Sequence, residues 1–170
     1  MKKEILLSFV ASLALSACAT KRTLPPAPAS GETTGEFDPA GDGAAQIDTL
    51  QRDLAATAGN DRVFFELDSF ALSPAARQTL DRQAAWLRQR PSIDFTIEGH
   101  CDERGTREYN LALGERRANA VASFFTGLGI APDRIRTVSY GKERPDAPGS
   151  DESAYAQNRR AVSIVVTGGR

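Results

Sequence analysis

The chain has 170 residues, 41% apolar and 25% charged, an ordinary globular composition with length for one domain and some extra segments. Its 21 basic and 22 acidic residues leave a net charge of −1, so no general basic field exists to hold nucleic acid. Two cysteines and one histidine argue against a disulfide framework and against a His-based zinc site.

The first element is an address. Lys2 and Lys3 precede an apolar run over residues 5–15, too short for a permanent membrane span and suited to a signal peptide over residues 1–17. The following "LSAC" puts small residues before Cys18 and resembles the lipobox of bacterial lipoproteins. That resemblance implies cleavage before Cys18, acyl chains such as palmitate on it, and, with Ala19 next, sorting to the outer membrane. Each buried methylene contributes about 0.8 kcal/mol, so two or three chains make a lasting anchor.

Residues 18–46 then form the lipidated terminus and a tether rich in Pro, Ala, Gly, Ser, Thr and acidic side chains. They lack the apolar surface that would offset ordering entropy. As a flexible coil, roughly 28 residues span about 30 Å r.m.s. and about 90 Å when stretched. Ile47, Leu50 and Leu54 recur at helical spacing, which predicts a short helical lead-in over 47–60.

Residues 61–170 carry the fold. "RVFFEL" predicts a strand with Val63, Phe65 and Leu67 on one face. Ser73 followed by Pro74 is a matched helix start, and Ala76, Leu80, Ala84 and Leu87 form that helix's buried stripe. "IDFTIEG" alternates, with Ile93, Phe95 and Ile97 inward and Asp94, Thr96 and Glu98 outward. A long helix, with Asn110 as its N-cap, runs to Leu128 and stops at Gly129. "RTVSYG" is a third strand, Asp151 caps a short helix through Asn158, and "RAVSIVVT" is a fourth strand. The order β-α-β-α-β-(α)-β predicts an α+β two-layer sandwich: a mixed four-stranded sheet with helices on one face.

The segment "GHCDERGTREYNLALGERRA" places eight formal charges in twenty residues between the second strand and the long helix. Leu111, Gly114, Ala118, Val121, Phe125 and Leu128 define the helix's buried stripe. Arg116 lies opposite it, and Arg117 only about 60° from its centre. Arg117 therefore emerges at the core's edge and calls for a carboxylate. Asp102 or Asp68 could supply one internally. Alternatively a ligand carboxylate meets the arginine while an aspartate meets the ligand's ammonium. Gly114, unfavourable inside a helix, signals close backbone packing or room for a ligand. His100 reads as a turn residue satisfied by backbone and Cys101 as a small, partly covered side chain in a turn. Arg159 and Arg160 could bind a ligand but read better as charge at the start of an edge strand.

Together, "VFFELDSF", "TIEGHCDERGTREYNLALGERRANAV", "VSYGKERP" and "NRRAV" resemble the OmpA-like peptidoglycan-binding domain family over about residues 61–167. The family pattern N-x-x-L-S-x-x-R-A appears as Asn110, Leu113, Gly114, Arg117 and Ala118, with glycine in the serine's place. The resemblance implies a ligand, the meso-diaminopimelate of the peptidoglycan stem peptide. Asp102 would take its ammonium and Arg117 the neighbouring carboxylate. Asp68 would be a further pocket aspartate, Ser69 and Phe70 would line that wall, and Thr106, Asn110 and Leu113 would shape the pocket. It further implies an outer-membrane protein facing the periplasm and tethered to the cell wall, with no cofactor or metal. The implied partners are the Tol system, chiefly TolB and also TolA, with roles in envelope integrity and cell division. A peptidoglycan-modifying enzyme is the rival. His100, Cys101, Asp102 and Glu103 are consecutive and cannot converge on one centre, and Ser139 and Ser163 lack a nucleophile elbow.

Overall fold

The computed structural model describes residues 41–167. The signal run, Cys18 and the tether up to residue 40 lie outside the described residues, as do residues 168–170.

The first described element, α1 (Gly41–Ala58), begins inside the stretch whose composition reads as tether. Its apolar stripe docks: Leu54 and Ala58 are fully buried and Leu50 packs against the core. Gln51 fixes the register of this contact. Its amide nitrogen donates to the Ser163 carbonyl at 3.0 Å, and its oxygen accepts from Val165 N at 2.8 Å. One side chain thus satisfies backbone groups that a neighbouring strand would otherwise pair.

The remaining elements are β1 (Arg62–Phe64), α2 (Pro74–Arg88), β2 (Ile93–His100), α3 (Arg107–Gly127), a 3-10 turn (Pro132–Arg134), β3 (Ile135–Gly141), α4 (Glu152–Asn158) and β4 (Arg160–Thr167). The sheet order is β1-β4-β2-β3. β4 runs antiparallel to both β1 and β2, while β2 and β3 are parallel, joined through the α3 crossover. The expected mixed four-stranded sandwich is the observed one.

The start signals of α2 and α4 and the stop signal of α3 act as read. The Ser73 hydroxyl accepts from Ala76 N at 3.1 Å, and Asp151 accepts from Ala154 N at 2.8 Å. Past α3, Gly129 N donates to Thr126 O at 2.9 Å and Ile130 N to Phe125 O at 3.1 Å, a Schellman closure made possible by the glycine's φ of 85°. The core is built on Phe95, which stacks on Trp86 at 6.0 Å and meets Phe125 at 5.7 Å.

Four expectations are corrected. Leu67 does not continue the first strand's inward face: β1 ends at Phe64, and Leu67 is 58% exposed in the following loop. Asp94 is buried rather than outward, 3.6 Å from Arg134. Asn110 is not the α3 cap. Thr106 is, its hydroxyl accepting from Tyr109 N, and Asn110 sits in the first turn. Arg159 and Arg160 do not open an edge strand, because β4 lies between β1 and β2, and both arginines are buried.

Candidate functional site

Three segments converge beyond the end of β2: the β1–α2 loop, the charged loop of residues 101–106, and the first turns of α3. Their approach depends on two glycines. A Cβ on Gly99 would lie 1.9 Å from the Gly114 carbonyl oxygen, and one on Gly114 would lie 2.4 Å from Ser139 Oγ. Gly114 therefore serves close packing of α3 on β2 and makes no room for a ligand. This contact sets the depth at which Arg117, one turn further on, enters the structure.

Arg117 is fully buried, deeper than the core's edge. Its Nε donates to the Ser69 carbonyl at 2.8 Å, Nη1 to His100 O at 2.8 Å and Nη2 to Glu66 O at 3.2 Å. No carboxylate among the described residues forms an ion pair with it. Neither Asp102 nor Asp68 fills the internal-partner role, since Asp102 pairs with Arg104 and Arg159. A guanidinium has five N–H donors, so these three bonds do not exhaust it, and the Cys101 side chain lies beside it as a further contact. Burial pushes the Arg117 pKa down, the nearby Cys101 and Asp102 opposing that shift. A buried cation without a counter-charge is costly, and an anion delivered to it relieves that cost.

A cleft of about 280 Å³ reaches this group, lined by Leu67, Asp68, Asp102, Asn110, Leu113, Arg117 and Arg159 among others. Tyr109 on α3 and Asp68 in the β1–α2 loop both line it, and the tyrosine hydroxyl donates to the aspartate carboxylate. Asp68 adopts a left-handed backbone, φ 52°, unusual for a residue other than glycine. Asn110 closes the turn beneath, its Nδ2 donating to Arg104 O at 2.8 Å and Thr106 O at 3.0 Å.

Asp68, Asp102, Asn110, Leu113 and Arg117 thus line one cleft, while Ser69, Phe70 and Thr106 do not. Ser69 contributes the carbonyl that holds Arg117. Phe70 lies instead near Arg116, whose guanidinium is 5.8 Å from its ring, beside a separate open hollow. Thr106 acts through its cap. Arg104 and Arg159 also line the cleft. Sequence reasoning missed Arg104 and set Arg159 aside, since charge in a loop and at a strand start reads as solvated. A separation of 57 residues carries no local signal that Arg159 folds back to Asp102.

His100 does not lie in a turn. It ends β2, is 1% exposed and stacks on Tyr140 at 5.5 Å. Burial, then the cation Arg160, hold its pKa down at about 4 against a hydrogen bond with the Arg144 backbone. Cys101 is buried, its Sγ 3.3 Å from the Asn110 carbonyl, and desolvation raises its pKa. Among the described residues no group of His, Cys, Asp and Glu is arranged to hold a metal ion.

Comparisons with known proteins agree on one kinship. The OmpA family model matches residues 64–159. The peptidoglycan-associated lipoprotein of Brucella melitensis is 44% identical over 169 residues, covering 99% of this chain and 95% of that protein. Its counterpart from Pseudomonas aeruginosa is 48% identical over 136 residues, covering 78% and 80%. The crystal structure of the peptidoglycan-associated lipoprotein from Burkholderia pseudomallei superposes with a TM-score of 0.62 at 41% identity, covering 64% of this chain and 92% of that one. The C-terminal domain of Helicobacter pylori MotB, at 22% identity and a TM-score of 0.59 over 64% of this chain and 86% of its own, shares the fold.

Proposed function

Because this chain belongs to the OmpA family and, within it, to the peptidoglycan-associated lipoproteins, we propose that it is a non-enzymatic tether between outer membrane and cell wall. The observation that carries the reading is the buried, carboxylate-free guanidinium of Arg117 beside a cleft that also holds Asp68 and Asp102. Arg117, which has no carboxylate partner among the described residues, would take the distal carboxylate of meso-diaminopimelate. The two aspartates face the adjacent ammonium. A zwitterionic amino-acid head group needs both signs of charge at close range, and this cleft offers both.

The anchor in this account is lipid on Cys18, in the periplasmic leaflet of the outer membrane, with the residues up to α1 as the leash. Each wall contact can be weak, because copies confined to one membrane hold a shared polymer through avidity. TolB and TolA as partners, and a role in envelope integrity and division, belong to the same proposal and rest on family membership. Hydrolytic chemistry is not part of it: His100, the one imidazole, is buried and does not line the cleft.

Pelleting with purified sacculi tests the reading. The protein should sediment with diaminopimelate-type walls and stay in solution with lysine-type walls, which lack the distal carboxylate. Equal pelleting with both, or soluble fragments released from the wall, would refute it.

A further inference from the structure

We propose that Arg104 is the resident cation of the Asp102 carboxylate, the group a ligand's ammonium must displace, and so a residue that sets how strongly the cleft selects ligands carrying one. The inference rests on the functional reading above and adds to it the residue against which the ligand is weighed.

The acceptor count carries it. An ionised carboxylate offers about four lone-pair sites. Asp102 Oδ1 accepts from Arg104 N at 3.1 Å and Arg104 Nε at 3.2 Å. Oδ2 accepts from Arg104 Nη2 at 2.6 Å and Arg159 Nη1 at 3.5 Å. All four are spent, so an incoming ammonium has no acceptor on Asp102 until a donor leaves.

Only one donor is built to leave. Arg159 is pinned, with its side chain 6% exposed, its Nε donating to Phe65 O at 3.0 Å and its Nη1 to Glu152 at 2.8 Å. The backbone N–H of Arg104 is part of the turn. The Arg104 side chain is different: it is 38% exposed and stands just before Gly105, whose φ is 88°. It also has somewhere to go. Its guanidinium already lies 4.3 Å from the Tyr155 ring centre, and Nη1 is 3.5 Å from the exposed Glu152 carboxylate. Both belong to α4, so Arg104 can give up Asp102 and keep a carboxylate and an aromatic face. Such exchange replaces one cation by another on the same acid and changes the charge of the site little. A ligand lacking the ammonium gains nothing from it.

The test uses the full chain in detergent, titrated calorimetrically with the tripeptide L-Ala-γ-D-Glu-meso-diaminopimelate and with the same peptide acetylated on its free diaminopimelate amine. Arg104→Gln removes the competitor and should tighten binding of the free-amine peptide by about 2- to 5-fold, the worth of a part-exposed ion pair. Binding of the acetylated peptide should not tighten. Tyr155→Leu removes the alternative perch and should shift the free-amine peptide the other way. Weaker binding by Arg104→Gln would make Arg104 a ligand-gripping group, and an equal gain on both peptides would make it a general obstruction. Either result, or no change at all, overturns the inference. If the wild-type protein binds neither peptide, the functional reading itself fails.

Discussion

Replacing Arg117 by alanine should unfold the protein at a much lower temperature even with no ligand present. The side chain makes three hydrogen bonds, of 2.8, 2.8 and 3.2 Å, to carbonyls of Ser69, His100 and Glu66. Bonds from a charged donor contribute about 1.5–3 kcal/mol each, and the desolvation of the buried cation, which the variant no longer suffers, offsets part of their loss. A net destabilisation of about 3–5 kcal/mol follows. For a folded unit of this size each kcal/mol lowers Tm by about 4 °C, so the drop is about 12–20 °C. Thermal unfolding followed by circular dichroism at 222 nm measures it, with Arg116→Ala as the control. Arg116 is the exposed neighbour on the same helix, and its loss should stay within about 0.5 kcal/mol. Equal melting temperatures for the two variants would refute the claim that Arg117 ties the β1–α2 loop to the end of β2. Any loss of wall binding by Arg117→Ala must accordingly be measured well below its own Tm.

Two further perturbations probe the frame around the cleft. His100 is held neutral, its pKa lowered from 6.5 to about 4 by burial and by Arg160, with a backbone hydrogen bond to Arg144 and the Asp146 charge opposing. Above pH 6.5 folded and unfolded chains are alike at this group. Between 6.5 and 4 the unfolded chain binds a proton the fold refuses, so stability falls as pH falls, by up to about 3 kcal/mol. His100→Phe should remove that part of the acid sensitivity in melts taken at pH 7 and pH 4.5, and parallel slopes for the two proteins would contradict the assignment. Gly99→Ala places a Cβ 1.9 Å from the Gly114 carbonyl oxygen and 2.6 Å from its carbonyl carbon, both backbone, so α3 must shift. It should cost about 3 kcal/mol in denaturant unfolding, and a loss below about 1 kcal/mol would show that helix and strand are not in rigid contact.

Much of the frame was legible because its signals are local. Ser73-Pro74, Asp151 and Gly129 declare helix ends through their own hydrogen bonds and dihedral angles, and the Ile93, Phe95, Ile97 alternation declares an inward face. Where two local signals compete, sequence is ambiguous. Thr106 and Asn110 are both good caps, and Thr106 wins because the asparagine amide is drawn back to the carbonyls of Arg104 and Thr106. What long-range contacts decide was not legible. Helical phase places Arg117 near the core, but it cannot show that carbonyls from residues 66, 69 and 100 fold around it and bury it. β4 looks like an edge strand until pairing sets it between β1 and β2, which turns Arg159 from surface charge into a cleft wall. Residues 41–46 read as tether by composition, and they are helical because the stripe following them docks on the sheet. The family resemblance supplied the ligand, a choice that the residues alone left open between an internal ion pair and a bound zwitterion.

In the proposed function Arg117 waits for one particular carboxylate. The most direct measurement is calorimetric titration of the full chain with the diaminopimelate tripeptide and with the same tripeptide amidated at its distal carboxylate. Amidation removes the charge and one acceptor while leaving the ammonium and the shape nearly intact. With charge-assisted bonds at about 1.5–3 kcal/mol each, the amidated peptide should bind at least ~10-fold more weakly. Equal affinity for the two peptides would mean that Arg117 does not grip this carboxylate.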